Sequence, residues 1–510
     1  VSKTENEAAL QEELRMMVNA EFLFQTGAPP DSRYVFKHIL MQETAYDSLL
    51  KRTRTQLHAQ VAEILEQEFP DERERHPQKL ALHFGEAGVA DKAIPYWMMS
   101  CKLSLDTFAN LEAIEQANAA LKLLARTPDS VQRGSTEITL RMMRGKALVA
   151  TRGYSDPEVE RNFVAALALC EQIGDPPELF QLLVGLWMNF FISGELDHSL
   201  ALARRLVRIA EKESSPPKIV QAKYCHGFTL YSIGDYNRAR EVLEASIAAE
   251  AAGFDFASES ASGDDTRTHT RCALALVLWH LGHLEKATSL AHEGLEMARD
   301  TGHPYAMIFT EFMNAYLDLL RGDHEQAAVH AEAVIRLAED NMFGFWLAFG
   351  KYFLAWSTCE AGRSGSDDEK RQRINKMIAG LDAFYATGAG GLSSPLSLQI
   401  VEGLIRTGEL AGAEERLSAI EEKLRASNEQ QFIHELTRYR GRVAQAKGDT
   451  QKAEELFEAA LRSSREAGSV SLALRAATDL AKLYADGGND QAASQLLEAA
   501  YGDLPEHERA

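Results

Sequence analysis

Beyond residue 70 the apolar positions fall three and four residues apart, as in Ala453, Leu456, Phe457, Ala460 and Leu461. That spacing lays an apolar stripe along one face of a helix. Strand-like alternation is nearly absent from this part of the chain. A longer period runs over the helical one. A Gly is followed five positions later by a small residue at Gly194 and Ser199, Gly234 and Ala239, Gly282 and Ala287, and Gly322 and Ala327. The same pair returns at Gly408 and Ala413, Gly448 and Ala453, and Gly488 and Ala493. Successive glycines are separated by 40, 48, 40, 86, 40 and 40 residues, and Gly362 divides the 86 into 40 and 46. The two long intervals contain Gly-, Ser- and Asp-rich stretches at 253–268 and 363–373, which predict inserted loops.

Each of these glycines predicts a place where one helix stops and the chain turns into the next, a conformation that suits a residue tolerant of positive φ. Seven positions before them stand Gly227, Ala275, Ala315, Ala355, Gly441 and Ala481, so small side chains on both helices permit close antiparallel packing. The expected fold is all-α. Residues 71–502 form a right-handed α-α superhelical solenoid of hairpin repeats with a period near 40, followed by an acidic tail at 503–510.

The first seventy residues differ in character. Helices are predicted over 7–20, 38–50 and 53–69. Between the first two, the short apolar runs Phe22–Gln25 and Arg33–Phe36 flank a turn-forming stretch at 26–32, the signature of a β-hairpin. A helix, a two-stranded wing and further helix predict the end of a winged-helix domain, with linking helices, over residues 1–70.

Charge narrows the function classes. Lys and Arg number 54 and Asp and Glu 75, a net charge of −21, which disfavours a nucleic-acid partner. Lys51, Arg52 and Arg54 form the one local basic cluster in the amino region, too small to compensate. The longest apolar stretch, Leu182 to Ile192, is too short to span a bilayer and contains Asn189. No signal peptide opens the chain at Val1, and five scattered cysteines (101, 170, 225, 272, 359) predict reduced thiols in a cytoplasmic setting.

Motifs for chemistry are sparse. Gly145-Lys146 is the nearest fragment of a phosphate-binding loop, but Leu140 and Ala147 break the pattern and the segment reads as helix. Gly388-Ala389-Gly390-Gly391 reads as a flexible inter-repeat loop. His280, His283, His292 and Glu285 could ligate zinc on paper, yet His283 occupies the turn position after Gly282. The expectation is therefore a chain with no catalytic, cofactor-binding or metal-binding residues, and not itself an enzyme.

The Gly-Asp and small-residue pattern resembles the tetratricopeptide repeat, in a variant longer than the usual ~34 residues. The amino region carries a second resemblance. Phe36-Lys37-His38, Gln42-Glu43 with Ala45-Tyr46 and Leu49-Leu50, then His83-Phe84 and Ala87-Gly88 with Lys92-Ala93, resemble the segment that joins an AAA-like signalling NTPase to a repeat array in bacterial multidomain regulators. Some of those regulators begin with a class III adenylate or guanylate cyclase. The resemblance implies a regulatory repeat module working in cis with an NTPase or cyclase upstream of Val1. Alternatives of the same design are the silent end of a cyclase or an NTPase-type transcription regulator. The acidic end, Tyr501 to Ala510, lacks a helix-turn-helix and disfavours carboxyl-terminal DNA binding.

Repeats of this family hold a protein or peptide partner on the concave face, lined by the first helix of each hairpin. Counting back from the anchor glycines assigns to that face Phe191, Tyr224, Tyr231, Trp279, His280, Phe312, Tyr316, Tyr352 and Trp356, and later Arg438 and Arg442. The expected groove is aromatic at its centre and basic toward the carboxyl end, aromatics giving large contact area with few rotors to freeze.

Overall fold

The computed structural model describes residues 7–28, 32–174, 176–250, 265–341, 343–361 and 366–509. Among them are 25 α-helices, one two-stranded sheet and a short 3-10 turn. They divide into two compact units, Val1–Ala147 with Gln172–Gly174, and Leu148–Glu171 with Asp175–Ala510.

The first unit opens with helix Glu7–Asn19 and the antiparallel strands Leu23–Thr26 and Arg33–Phe36, with Leu23 opposite Phe36 and Thr26 opposite Arg33. Helices Ile39–Ser48 and Lys51–Glu68 follow within two residues of the predicted bounds. The hairpin code starts earlier than Gly194. Gly88 has φ of +77°, the amide of Val89 reaches back to Phe84 O at 2.9 Å, and Ala81 and Ala93 stand seven before and five after. Ala62, Leu80, Phe84 and Ala93 make a small core there, with the rings of Phe84 and Tyr96 stacked at 5.9 Å.

The second unit shows why the Gly-Asp pair repeats. All seven anchor glycines lie in the left-handed region, with φ from +72° to +88°. The amide after each one bonds back five residues, as Asp323 to Asp318 O at 2.9 Å and Asp449 to Ala444 O at 3.0 Å, the Schellman closure of a helix end. Where that next residue is Asp323, Asp449 or Asn489 it also caps the following helix, accepting from the amides of Gln326, Lys452 and Ala492. One Gly ends a helix and its neighbour begins another. Where the position seven before the anchor is itself Gly, the two helices leave no room for a Cβ. A Cβ on Gly441 would stand 2.6 Å from the Phe457 ring, and one on Gly227 2.5 Å from Leu243 Cγ.

Two expectations about the insertions change. Gly362 and residues 363–365 lie outside the described residues, but from Asp367 the stretch predicted as loop is helix, Asp367–Tyr385. Ser366 and Glu369 close a capping box at its start, which sequence composition alone masks under Ser, Asp and Arg. Residues 253–264 also lie outside the described set. Asp265 then caps helix Thr266–His280 by accepting from the Arg267 amide at 3.1 Å, so the end of that stretch is helical too.

Within this unit the solenoid winds back onto itself. The amides of Gly390 and Gly391 both donate to Ile192 O at 2.8 Å, and Tyr236 donates its hydroxyl to Gln431 O at 2.9 Å. His280 Nδ1 meets Ser469 Oγ at 2.9 Å, and Arg475 donates to Leu320 O. The first three pairs are 390 − 192 = 198, 431 − 236 = 195 and 469 − 280 = 189 residues apart, close to five repeats of 40, and the fourth is 475 − 320 = 155, close to four. The consequence is visible in the helices. Helix Thr266–His280 buries 13 of its 15 residues, whereas its hairpin partner Leu284–Thr301 buries only the stripe Ala287, Ala291, Gly294, Leu295 and Ala298. A helix buried all round has neighbours on every side.

The acidic tail is not a free one. Leu504 is buried against Gly282 and Val470 neighbours this position, while Glu508 accepts from the Glu285 amide at 3.0 Å. A carboxylate at the amino end of helix Leu284–Thr301 satisfies an otherwise unpaired donor and complements the helix dipole.

Candidate partner-binding surface

The helices of successive hairpins bring many of the expected aromatics into ring contact. Phe191 lies 4.8 Å from Phe228, Phe228 5.9 Å from Tyr231, and Tyr236 4.3 Å from His280. Further along, Phe312 lies 4.6 Å from Phe349 and 5.3 Å from Trp346. Offset and edge-on pairs of this kind add to the burial of ring area.

The expectation of an open groove is corrected. Phe191, Tyr224, Tyr231, Trp279, His280, Phe312, Tyr316, Tyr352 and Trp356 are all at most 4% exposed. Later repeats seal them. Tyr352 donates to Leu396 O at 2.6 Å, Trp356 Nε1 to Gln399 Oε1 at 3.3 Å, Ser471 to Trp279 O, and the Arg475 guanidinium sits 4.9 Å over the Trp279 ring. Burial pushes the hydroxyls of Tyr231 and Tyr316 well above the usual phenol range, and burial together with Arg475 holds His280 well below the usual imidazole range.

The basic end of the lining is corrected as well. Arg438 donates to Glu435 at 3.0 and 2.7 Å and to Asp479 at 2.5 Å, and Arg442 donates to Glu402 at 3.0 Å. Burial alone would raise the Glu435 carboxyl, but Arg438 and Arg475 beside it bring it below the ordinary carboxylate range. The two arginines belong to a neutralised network rather than to a surface seeking an anion. Sequence spacing placed them on this face, and the carboxylates that answer them are Glu435 on the same helix and Asp479 and Glu402 on helices about 40 residues away in either direction.

One narrow cleft remains on the aromatic face. Its lining adds residues that the counting rule missed: Tyr154, Tyr305, Phe309, Trp346, Phe349 and Leu392 join Phe191, Phe228 and Phe312 around a cavity of about 20 Å³. The signal was present, because Tyr305, Phe309, Phe312 and Tyr316 recur at intervals of four, three and four. A register borrowed from the last turns of each helix stopped short of the first ones.

A different apolar surface lies in the first unit. Phe22, Phe24, Val35, Phe36, Ile39, Leu40 and Leu50 are exposed, from 38% at Phe36 to 78% at Leu50. Helix Ile39–Ser48 has no buried residue. In the same region Arg54 pairs with Asp47 at 3.2 Å and covers the Tyr46 ring, so it is already engaged within the basic cluster.

Two of the histidines considered for zinc, His280 and His283, serve other partners. His280 is stacked on Tyr236 and bonded to Ser469, whereas His283 approaches His507 at 3.4 Å and the Arg240 guanidinium at 3.3 Å. Among the described residues no three His, Cys, Asp or Glu side chains gather to hold a metal ion. The thiols of Cys101 and Cys272 are raised to about 11 and about 12 by burial, the opposite of what a nucleophile needs. Among the described residues no helix is long and apolar enough to cross a membrane.

No protein-family profile matches the sequence. An uncharacterized protein of Rhizobium meliloti (strain 1021) is 22% identical over 354 residues, covering 68% of this chain. The chain spans about a third of the length of that curated relative. Among solved structures, a Rap protein complexed with competence and sporulation factor aligns over 80% of this chain and 99% of its own, at 11% identity and a TM-score of 0.48. The Cut9 and Hcn1 hetero-tetramer of the APC/C aligns over 83% and 75%, at 12% identity and 0.46. The Rap conjugation gene regulator of plasmid pLS20 with the Phr* peptide aligns over 67% and 97%, at 16% and 0.45.

Proposed function

We propose that the chain is a non-catalytic interaction arm of a longer bacterial signalling protein. In this reading the repeats hold a protein or peptide partner at the inner aromatic face, which is closed in this structure and is uncovered when the partner binds. The amino-terminal unit, the end of a winged-helix domain, couples them in cis to a signal-transduction ATPase or an adenylate or guanylate cyclase module, and the whole works in the cytoplasm without membrane or nucleic-acid contact.

The observation that carries the reading is the exposed apolar surface between Phe22 and Leu50. Large apolar side chains gathered at an exposed surface mark an interaction site. Two of the residues that make it, Phe36 and Leu50, also belong to the pattern that resembles the NTPase-to-repeat junction. The test is carbene footprinting of the chain alone and within the longer protein, together with an assay for nucleotide turnover. The expected result is strong labelling of Ile39, Leu40 and Leu50 in the isolated chain, protection of all three in the longer protein, and no turnover by residues 1–510. Labelling that stays unchanged in the longer protein overturns the coupling, and ATP hydrolysis or cyclisation by the isolated chain overturns the non-catalytic assignment.

A further inference from the structure

The segment between helices Asp367–Tyr385 and Ser394–Arg406 does more than connect them. Residues 386–393 read Ala-Thr-Gly-Ala-Gly-Gly-Leu-Ser, a sequence with no helical stripe. In the fold this stretch is seated on the aromatic face of a hairpin about 198 residues earlier. Gly390 and Gly391 both donate to Ile192 O at 2.8 Å, using a carbonyl from the end of helix Leu179–Ser193 that has no partner within its own helix. Leu392 then places its side chain in the cleft beside Phe191, Phe228, Phe312 and Trp346. Ser393 and the carbonyl of Gly390 are both held by Lys423.

This seat has the form of a bound ligand. It consists of two backbone donors, a pair of residues small enough to touch the opposing backbone, and one aliphatic anchor in an aromatic cleft. The fit is specific for glycine at its tightest point, since a Cβ on Gly391 would lie 2.7 Å from Phe191 O, and one on Gly390 3.2 Å from Ser193 O. It is also imperfect. Leu392 sits at φ +61°, a left-handed conformation that costs a branched residue of this size on the order of 1 kcal/mol or more. A small cavity of about 20 Å³ remains beside it. The occupant carries backbone strain that a separate peptide need not carry.

Resting on the reading that the inner aromatic face is the partner-binding surface, we infer that residues 386–393 are an internal plug occupying the partner's place. The partner that displaces it is an extended peptide segment with two adjacent small residues followed by a leucine-sized aliphatic side chain. Binding exchanges one Gly-Gly-Leu segment for another, so the cleft opens only to a ligand that reproduces the two amide donors and the anchor.

The chain supplies its own probe: a labelled synthetic peptide of residues 386–394, ATGAGGLSS, titrated against the full chain. Gly391→Ala should evict the plug through its clash with Phe191 O, and Leu392→Ser should loosen it without a clash. In either variant the amides of Gly390 and residue 391 should exchange faster, and the probe should bind at least tenfold tighter than to the unsubstituted chain. The gain should vanish for a probe with Leu replaced by Asp. Faster exchange with no gain in binding overturns the plug assignment. So does unchanged exchange in both variants, which would make the segment a fixed part of the core. A gain that survives Phe228→Ser in the Gly391→Ala background places the binding away from the aromatic cleft, and then it is the reading of that face that fails.

Discussion

Both the inner face of the second unit and the stretch from Phe22 to Leu50 are built of large apolar side chains, yet the first is sealed and the second is open. Nothing in the local pattern separates them. The stripe Tyr305, Phe309, Phe312, Tyr316 is no more apolar in its spacing than Phe22, Phe24, Val35, Phe36, Ile39 and Leu40. The difference comes from what the chain brings back. At three places a connecting segment or a carboxyl-terminal helix returns about five repeats later to cover the inner face, through Gly391 on Ile192, Gln431 on Tyr236 and Ser469 on His280. Among the described residues, no such return covers the amino-terminal ones within their own unit. In a solenoid, periodicity decides which residues face inward, and the closure of the superhelix decides whether inward means buried.

Four substitutions probe that contrast. The largest effect is expected from Phe312→Ala, which removes a ring packed on Trp346, Phe349 and Tyr316. A loss of about 3–5 kcal/mol in urea unfolding is expected for a fully enclosed aromatic, and a loss below ~1 kcal/mol would mean that the face is open in solution. Gly441→Ala tests packing between the two helices of one hairpin, away from the seam. With its new Cβ 2.6 Å from Phe457, it should cost roughly 1–3 kcal/mol by overpacking, read as a lower urea midpoint.

His280 sharpens the comparison through pH. Burial and Arg475 hold its folded-state pKa well below the ordinary value of 6.5, while the unfolded imidazole takes up a proton as pH falls through that value. The unfolded state therefore binds more protons, and this residue's contribution is present above pH ~6.5 and is lost progressively below it. Urea midpoints at pH 5.5 and 7.5 should differ less for His280→Phe than for the unsubstituted chain. An equal difference in both would show that the imidazole is hydrated rather than sealed. The smallest effect belongs to the open surface. Ile39→Ser with Leu40→Ser should change stability by no more than ~0.5 kcal/mol while reducing self-association by light scattering. A large destabilisation would place those side chains in a core.

Much of the fold was legible in the residues. The Gly-Asp pair is a local device, a Schellman end and an N-cap in two adjacent positions, so its physics is written within five residues. The amino-terminal hairpin was legible for the same reason. The helical start at Ser366 and Glu369 was not, because a capping box and a loop use the same residue types. The candidate site was half legible. Helical spacing assigned Phe191, Tyr224, Tyr231, Trp279 and Tyr316 to one face, but exposure is a property of contacts nearly two hundred residues away in sequence. The pairing of Arg438 with Asp479 and of Arg442 with Glu402 is likewise a contact between repeats, invisible to a rule that reads one repeat at a time.

The seam also sets a schedule for synthesis. An ordinary repeat array can fold as it emerges, each hairpin packing on the one before. Here Tyr236 waits for Gln431, 431 − 236 = 195 residues later. At roughly 5–20 residues per second on the ribosome, that leaves the aromatic face uncovered for on the order of 10–40 s. During that interval the nascent chain presents a continuous row of tryptophan, tyrosine and phenylalanine to the cell, a natural substrate for a chaperone and a site where two half-made copies can trap each other.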